Sequence, residues 1–189
     1  MTQHFVASRL HGVSLATADA VQKEVLTGAQ KQIGFIPNMY ANMVNVPAVL
    51  TTYLHGYNAF RQHSGFSPAE QEVVFLAISQ QNDCHYCMAA HSMLADRMSG
   101  VPGPVLAAIR SRQPIPDNRL QALFRFAQEL VRSGGKPEAA TGAAFLAAGY
   151  TEVQALQVVL AAAVKTLSNY SNHLFETVVD DQFAAYQVA

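Results

Sequence analysis

The sequence predicts an all-α fold on three observations. Helix-start and helix-stop signals recur from one end of the chain to the other, as capping residues, first-turn prolines and terminal glycines. Few segments show the alternation of apolar and polar residues that is typical of a half-buried strand. Half of the 189 residues are hydrophobic and only 13% are charged, which is enough apolar material for one sizeable core. We therefore expect a single domain over residues 1–189 with about eight helices.

Two helices are predicted in the first third of the chain, at residues 19–33 and 47–63. Asp19 is a favoured N-cap residue, and Pro47 suits a first helical position because that position leaves its N–H unpaired in any case. A glycine follows each helix closely, as is typical of helix ends. Between the two helices, Pro37 disfavours the helical conformation in the residue before it, so residues 35–39 are predicted to be an extended connection.

A helical hairpin is predicted in the middle of the chain. Residues 67–70 form a capping box with proline at the first helical position, and they begin a helix that extends to about residue 80. The apolar run 73–78 would suit a buried strand in isolation, but the capping signal and the length of the segment favour a helix. A short polar turn at 81–83 leads into a second helix, from Cys84 to about residue 98, which Gly100 ends.

Four further helices complete the prediction. Pro102, Asp117 and Pro137 are expected to begin the first three, and glycines end two of these. Thr151 and Gln154 then repeat the capping-box pattern and begin a long, alanine-rich helix that reaches about residue 178.

Composition and charge argue against several classes of partner. The formal net charge is -1 and the basic residues are scattered singly, without the patch expected of a protein that binds nucleic acid or an anionic membrane. The longest apolar runs, such as 158–164, fall far short of the roughly 18 residues that a membrane helix requires. The first nine residues lack the basic flank and apolar core of a secretory signal, so we expect a cytoplasmic protein. The low charge leaves apolar surface for subunit contacts, which predicts a homo-oligomer.

The chain has two cysteines, Cys84 and Cys87, placed directly after the polar turn at the expected start of a helix. The unpaired N–H groups and positive dipole end of a helix N-terminus stabilise a thiolate and lower the pKa of a thiol there. A two-residue spacer also lets the two sulfur atoms bond to each other. One cysteine can therefore attack an oxidant and the other can resolve the product as a disulfide.

His91 and Glu72 are the candidate proton-transfer residues. His91 lies four residues after Cys87 and seven after Cys84, on the same helical face, where it can act as a base toward Cys87. Glu72 lies ten residues before Asn82 and His91 lies nine after it, so the antiparallel hairpin should bring the two face to face. Glu72 can then orient His91, in the arrangement of nucleophile, base and orienting group that covalent catalysis uses.

The cysteine pair also has a metal-binding interpretation. A C-x-x-C can be half of a structural zinc site, which His91 and either His85 or Glu72 would complete. We favour the redox pair, because structural zinc sites usually carry a second ligand pair at a defined spacing and the sequence shows none. Glu72 taken alone could equally be a solvated acid in the first turn of a helix. His85 and Tyr86 are expected to be wall and packing residues, and no role is predicted for His4, His11, His55 and His63.

Three polar residues recur at four-residue intervals on the last predicted helix: Lys165, Asn169 and His173. Most polar stripes on apolar helices face solvent, and we expect the same here. The alternative is that Asn169 or His173 lines a subunit interface or the rim of the thiol pocket.

The spacing around the cysteines is specific: an acid twelve residues before Cys84, then Asn82-x-Cys84-x-x-Cys87, then a histidine four residues after the second cysteine. This pattern resembles the AhpD-like alkylhydroperoxidases of the carboxymuconolactone decarboxylase family. Residues 34–38 and 47–50 and the late Asn169–His173 resemble the peroxidase-related branch of that family. The resemblance covers roughly residues 30–180, with a family core at about 40–130.

The resemblance implies an all-helical fold, usually a trimer or hexamer, that reduces hydroperoxides with a dithiol. By the family pattern Cys87 attacks the peroxide, while Cys84 is the more exposed partner that resolves the product and receives electrons from an external donor. Glu72 and His91 match the proton-relay positions. Tyr86 departs from the pattern, because the well-characterised enzymes carry a histidine there and a phenol with a pKa of about 10 cannot replace imidazole as a base at neutral pH.

These observations give one leading hypothesis and two alternatives. The leading one is a thiol-dependent hydroperoxide reductase without a bound cofactor or metal, acting on a small hydroperoxide and reduced by a dithiol or thioredoxin-like donor. The first alternative is a lyase of the carboxymuconolactone decarboxylase type, against which the C-x-x-C pair counts. The second is an oligomeric protein without turnover, either redox-sensing or stabilised by zinc.

Overall fold

The computed structural model describes residues 6–187, so part of the N-terminal segment examined above for a signal, including His4, lies outside the described residues. Nine α-helices and one 3-10 helix make up this part of the chain, without a strand, and the all-α prediction is confirmed. The α-helices are α1 Ala20–Ile33, α2 Asn38–Met43, α3 Pro47–His63, α4 Pro68–Gln81, α5 His85–Arg97, α6 Gly103–Arg110, α7 Asn118–Arg132, α8 Ala139–Ala147 and α9 Glu152–Phe175. The 3-10 helix is Asp181–Tyr186.

Four of the residues predicted to begin helices act as N-caps in the structure. The side chains of Asp19, Ser67, Asp117 and Thr151 each accept a hydrogen bond from a backbone N–H in the first turn of α1, α4, α7 and α9, respectively. Each such bond satisfies one of the donors that a helix N-terminus leaves unpaired. These local bonds explain why the sequence locates the long helices within a few residues.

The structure corrects the prediction at two places. Residues 38 and 39, predicted as extended, begin α2, because Pro37 is its N-cap and the Pro37 carbonyl accepts from the backbone N–H groups of Tyr40 and Ala41. At the other end, α9 ends at Phe175 and not near residue 178, because Glu176 adopts a left-handed conformation with φ of 46°. The 3-10 helix that follows was not predicted.

The helix α4 lies at the centre of the fold, in contact with α5, α7 and α9. Every residue from Gln71 to Gln80 is buried, and the run Val73–Ile78 has no exposed surface. A helix covered on all sides needs no polar face, which explains why this segment lacks helical amphipathicity. The contacts of α4 with α7 and α9 therefore fix the position of the hairpin of α4 and α5, and α3 packs on α9.

No single helix among the described residues is long and apolar enough to cross a membrane. The helices α8 and α9 meet the criterion of length and hydropathy only together, and they are bent by 116° at the break between them.

The packing of α3 on α9 leads to a stability prediction at Gly56. A Cβ atom at this position would lie 2.7 Å from Cγ2 of Val164, a buried and β-branched side chain that has little rotamer freedom. We expect Gly56→Ala to lower the free energy of unfolding by about 1–3 kcal/mol. The matched control is Gly28→Ala on α1, where a Cβ atom meets nothing within 4 Å. Because alanine favours a helix more than glycine does, this variant should have a free energy of unfolding that is higher by about 0.5–1 kcal/mol. Urea unfolding measures both, and equal stability of the two variants would contradict this packing.

Candidate functional site

The turn between α4 and α5 places both cysteines at the start of α5. Asp83 adopts a left-handed conformation with φ of 53°, and the backbone N–H of Cys84 donates to the carbonyl of Ser79 at 2.9 Å. Cys84 is then the N-cap of α5, and Cys87 lies in its first turn. Both cysteines are free thiols in the structure. As predicted, they lie where a helix N-terminus favours a thiolate.

The two thiols are equally buried, with relative exposures of 1% for Cys84 and 2% for Cys87. The expectation that Cys84 is the more exposed of the two is therefore not met. The amide nitrogen of Asn172 on α9 lies 3.4 Å from Sγ of Cys87 and 3.7 Å from Sγ of Cys84. The C-x-x-C is thus covered by α9, whose amide donates to the sulfur atoms.

The two thiols share one negative charge. A hydrogen bond from Cys87 lowers the pKa of Cys84 to about 6 against the cost of burial, and the Lys165 ammonium and Asn172 amide lower it further. Burial raises the pKa of Cys87 well above its ordinary value, and the hydrogen that it gives to Cys84 raises it more. At neutral pH the pair therefore holds a single proton and a single negative charge.

The hairpin brings Glu72 and His91 together, as their positions around the turn predict. Oε2 of Glu72 lies 2.8 Å from Nδ1 of His91, and its other oxygen, Oε1, accepts from the Arg61 guanidinium and from Ser99 at 3.4 Å. Burial raises the pKa of Glu72, but the charges and hydrogen bonds of His91 and Arg61 outweigh burial and hold the pKa below its ordinary value. Glu72 is therefore a buried, ionised carboxylate at neutral pH.

His91 is a neutral base in this arrangement. Burial lowers the pKa of His91 and the charge of Lys165 lowers it further, and together they outweigh Glu72, which raises it. Because the Glu72 carboxylate can only accept, Nδ1 carries the hydrogen and Nε2 is left unprotonated. His91 and Cys87 line the same cavity.

The two cysteines line two different cavities. The first has a volume of about 330 Å³ and mostly apolar walls, and it is lined by Cys87, His91 and Lys165 together with aromatic and aliphatic side chains. The second, of about 380 Å³, is a more open groove whose lining residues are mostly of polar types, among them His85, His173 and Thr177, together with Cys84. We name them the apolar cavity and the polar groove. A molecule in the apolar cavity meets Cys87, and a molecule in the polar groove meets Cys84.

The predicted solvent-facing stripe on α9 is wrong for two of its three residues. Lys165 and Asn169 have no exposed surface, while His173 is exposed and lies in the polar groove. Oδ1 of Asn169 accepts from the Asn82 amide at 3.0 Å, which ties α9 to the hairpin turn. Four polar residues in the part of α9 after Val164 are buried: Lys165, Ser168, Asn169 and Asn172.

Tyr86, at the position where the resemblance leads us to expect a histidine, contacts the C-terminal segment. Its hydroxyl donates to Oδ2 of Asp180 at 2.5 Å, and its ring meets that of Phe183 edge-on at 6.1 Å. Burial raises the pKa of Tyr86, and the Asp180 carboxylate raises it further. Tyr86 is therefore a packing residue that holds the C-terminal segment against α5. His85 is exposed in the polar groove.

Sequence reasoning missed three residues of the site: Arg61, Lys165 and Asn172. Arg61 donates to Glu72 and to the hydroxyl of Tyr57 at 2.7 Å, and its guanidinium lies over the ring of Tyr57. A signal for the other two was available, because Lys165 and Asn172 are seven residues apart and so share one face of α9. No sequence signal distinguishes Arg61 from a surface arginine.

The candidate zinc ligands are not arranged as a metal site in the described part of the chain. Glu72 and His91 are bonded to each other, and the described chain holds no group of three or more Cys, His, Asp or Glu side chains placed to hold a metal ion.

We expect one thiol of the pair to titrate with a pKa of about 6, the value of Cys84, and the other to stay protonated to much higher pH. Replacing Lys165 with Met should raise the first pKa, because the ammonium favours the thiolate of both cysteines. The ultraviolet absorbance of the thiolate against pH measures the effect. Lys136→Met, at an exposed lysine, is the matched control and should leave the curve unchanged. A first pKa that does not move in Lys165→Met would contradict the charge coupling.

Residues 47–129 match the model of the carboxymuconolactone decarboxylase family. The matched segment contains Glu72, Cys84, Cys87 and His91. None of the curated proteins matches the chain.

The chain also matches solved structures over nearly its whole length. The alkylhydroperoxidase AhpD core of an uncharacterized peroxidase-related protein from Ralstonia eutropha JMP134 is 22% identical, with a TM-score of 0.78 and coverage of 93% of either chain. A peroxidase-related protein from Silicibacter sp. TM1040 is 20% identical, with a TM-score of 0.73 and coverage of 93% of this chain and 94% of that one. The debrominase Bmp8 in complex with 2,3,4-tribromopyrrole is 15% identical, with a TM-score of 0.76 and coverage of 94% and 95%. Residues 47–129 are thus similar to the carboxymuconolactone decarboxylase family, in a chain that has the AhpD-like fold.

Proposed function

We propose that the protein is a thiol-dependent hydroperoxide reductase. The observation that supports this most is the division of the dithiol between two spaces: Cys87 lines the apolar cavity with His91, and Cys84 lines the polar groove. Such a division lets an organic hydroperoxide reach one sulfur while the electron donor reaches the other. The similarity in fold to peroxidase-related proteins supports the same reaction class.

The first half of the proposed reaction consumes the peroxide. Nε2 of His91 takes the proton of Cys87, and the resulting thiolate attacks the terminal oxygen of the hydroperoxide. The O–O bond breaks, Cys87 becomes a sulfenic acid, and the leaving alkoxide takes the proton from His91 to form the alcohol. Glu72 stabilises the imidazolium between these two steps, as its ion pair with Arg61 keeps it ionised.

The second half forms the disulfide. The Cys84 thiolate attacks the sulfur of the sulfenic acid, the S–S bond forms, and the hydroxide that leaves takes a proton from solvent to form water, which replaces the proton that Cys84 released to solvent on ionising. In sum, two thiols and one hydroperoxide give a disulfide, an alcohol and water. A dithiol or thioredoxin-like donor then attacks Cys84 from the polar groove and restores both thiols.

The test is a titration of reduced protein with a small organic hydroperoxide, with thiol content and mass followed together. We expect one equivalent of peroxide to remove both thiols and to leave a protein lighter by two hydrogen atoms. Thiols that survive an excess of peroxide would contradict the proposal. Decarboxylation of a lactone acid by a variant with both cysteines replaced by serine would favour the lyase instead.

A second reaction is supported by the walls of the apolar cavity and by the fold match to the debrominase Bmp8. The rings of Tyr53, Tyr57 and Phe35 line this cavity beside Cys87, and they suit a flat aromatic molecule. A dithiol can reduce an aryl bromide to the arene and bromide while it becomes a disulfide. Release of bromide from a brominated pyrrole by reduced protein, without peroxide, would identify this reaction.

We further propose that the chain forms a homo-oligomer. The first half of α9 exposes Val153, Leu156 and Val159 along one side, an apolar surface of the kind that subunit contacts cover. Light scattering should give a mass of three or six chains, and a monomer at working concentration would contradict this proposal.

A further inference from the structure

Lys165 is a fully buried lysine whose ammonium has no hydrogen-bond partner among residues 6–187. Its side chain lines the apolar cavity beside Cys87. Nζ lies 5.7 Å from the centroid of the Phe75 ring, within the range of a cation–π contact. Such a contact offsets only part of the cost of removing an ammonium from water. A negative charge next to this ammonium would offset much more.

In the reduced protein the thiol pair supplies that charge. Lys165 and Cys87 line the same cavity, and the Lys165 ammonium lowers the pKa of both Cys84 and Cys87, so it can act as the counter-ion of their shared thiolate. The buried carboxylate of Glu72 is engaged elsewhere, with the Arg61 guanidinium. When the thiols are oxidised to a disulfide the thiolate disappears, and Lys165 loses its counter-ion.

The apolar cavity is suited to deliver a replacement. Its volume of about 330 Å³ and its mostly apolar walls with a few polar groups are typical of a small-molecule site. The hydroxyl of Tyr57 accepts from Arg61 at 2.7 Å and keeps its own hydrogen for a further partner in the cavity. The polar groups that line this cavity therefore include two hydrogen-bond donors, the Lys165 ammonium and the Tyr57 hydroxyl.

We propose that the apolar cavity binds a small organic acid, whose carboxylate pairs with Lys165 and Tyr57 while its apolar body contacts the walls. The acid binds the disulfide form more tightly than the reduced form, because a carboxylate and the thiolate compete for one ammonium. The inference rests on the proposed function for the redox cycle itself, and it names the class of molecule that the same cavity takes.

Calorimetric titration with octanoate and with octan-1-ol, at neutral pH, tests the ligand class. We expect octanoate to bind the disulfide form about tenfold or more tightly than the reduced form, and octan-1-ol to show no such preference. Equal affinities of octanoate for the two forms, or octanol binding that matches octanoate, would overturn the proposal.

A variant with Cys84 and Cys87 both replaced by serine separates this test from the proposed function. It carries no thiolate and cannot form a disulfide, so it should bind octanoate as tightly as the oxidised protein does. If peroxide fails to oxidise the wild type but this variant binds octanoate, the proposed function fails and the ligand site stands. If the variant does not bind octanoate, the ligand site fails.

Lys165→Met should remove the preference of the disulfide form for octanoate over octanol, whereas Lys136→Met at the surface should retain it. If Lys165→Met kept this preference, the carboxylate of octanoate would be paired with a group other than Lys165. A second readout needs only the wild type, because a tenfold preference for the disulfide form lowers the reduction potential by about 30 mV at saturating ligand. Equilibration in a dithiol redox buffer with octanoate should show this shift and octanol should not, and an unchanged potential would also overturn the proposal.

Discussion

We expect Cys87→Ser to lose peroxide-dependent oxidation by at least about a thousandfold, because a serine hydroxyl is not ionised at neutral pH and cannot become a sulfenic acid. Cys84 keeps its thiol in this variant, but it faces the polar groove and not the apolar cavity in which His91 lies. The measurement is the rate of thiol loss with an organic hydroperoxide, together with the mass of the product. The fully reduced mass should persist.

Cys84→Ser should have a different outcome. Cys87 can still attack the peroxide, but its sulfenic acid finds no second thiol, so the protein should gain the mass of one oxygen atom. A reagent that traps sulfenic acids should then label Cys87. The assignment of roles is wrong if the two results are exchanged, with a labelled Cys84 in Cys87→Ser and an inert Cys84→Ser.

The pKa values alone would assign the attack to the other cysteine, since the pKa of Cys84 is lowered to about 6 and that of Cys87 is raised. Two effects oppose this. The nucleophilicity of a thiolate falls as its pKa falls, so the less acidic thiol gives the more reactive thiolate. Cys87 also shares the apolar cavity with the free nitrogen of His91, which can take its proton at the moment of attack. Access from the apolar cavity and proton transfer to His91 are therefore the grounds on which we propose Cys87 as the attacking thiol.

The pairing of Glu72 with His91 could be predicted from sequence because each step is local. A capping box fixes where α4 begins, a short polar turn fixes where it ends, and the two residues lie at nearly equal distances from Asn82. An antiparallel hairpin then has one register, and the carboxylate and the imidazole meet at 2.8 Å. The same reasoning placed the cysteines at the start of α5.

The cations of the site could not be predicted in this way, because they come from other helices. Arg61 lies on α3 and Lys165 on α9, and only the packing of α3, α4 and α9 brings both to the Phe75 ring. A lone basic residue on a helix is usually solvated, and no sequence signal distinguishes Arg61 from such a residue. The spacing of Lys165 and Asn172 puts them on one face of α9, but it does not show that this face is buried. The short helix α2 was missed for a related reason, since Pro37 both ends an extended segment and caps a helix.

Glu72→Gln is the second change with a large expected effect. It removes the negative charge from a carboxylate that has no exposed surface and pairs with both Arg61 and His91. Breaking a buried ion pair from one side leaves the other charge uncompensated, so we expect the free energy of unfolding to fall by about 3 kcal/mol or more at neutral pH. Peroxide reduction should slow by roughly 10²–10⁴-fold, because the imidazolium of His91 is no longer stabilised. Glu24→Gln, at an exposed site on α1, is the matched control for both measurements.

The pH dependence separates loss of charge from loss of packing. The pKa of Glu72 is lower in the folded protein than its ordinary value of 4.5, so its charge stabilises the fold fully above pH 4.5. That contribution is lost as the pH falls through the lowered pKa, because protonation then removes the same charge that the variant lacks. Urea unfolding should show the full difference between wild type and Glu72→Gln at pH 7 and a shrinking difference below pH 4.5. A difference that is constant with pH would mean that the glutamine packs badly, and the carboxylate would then not be the counter-ion of Arg61 and His91.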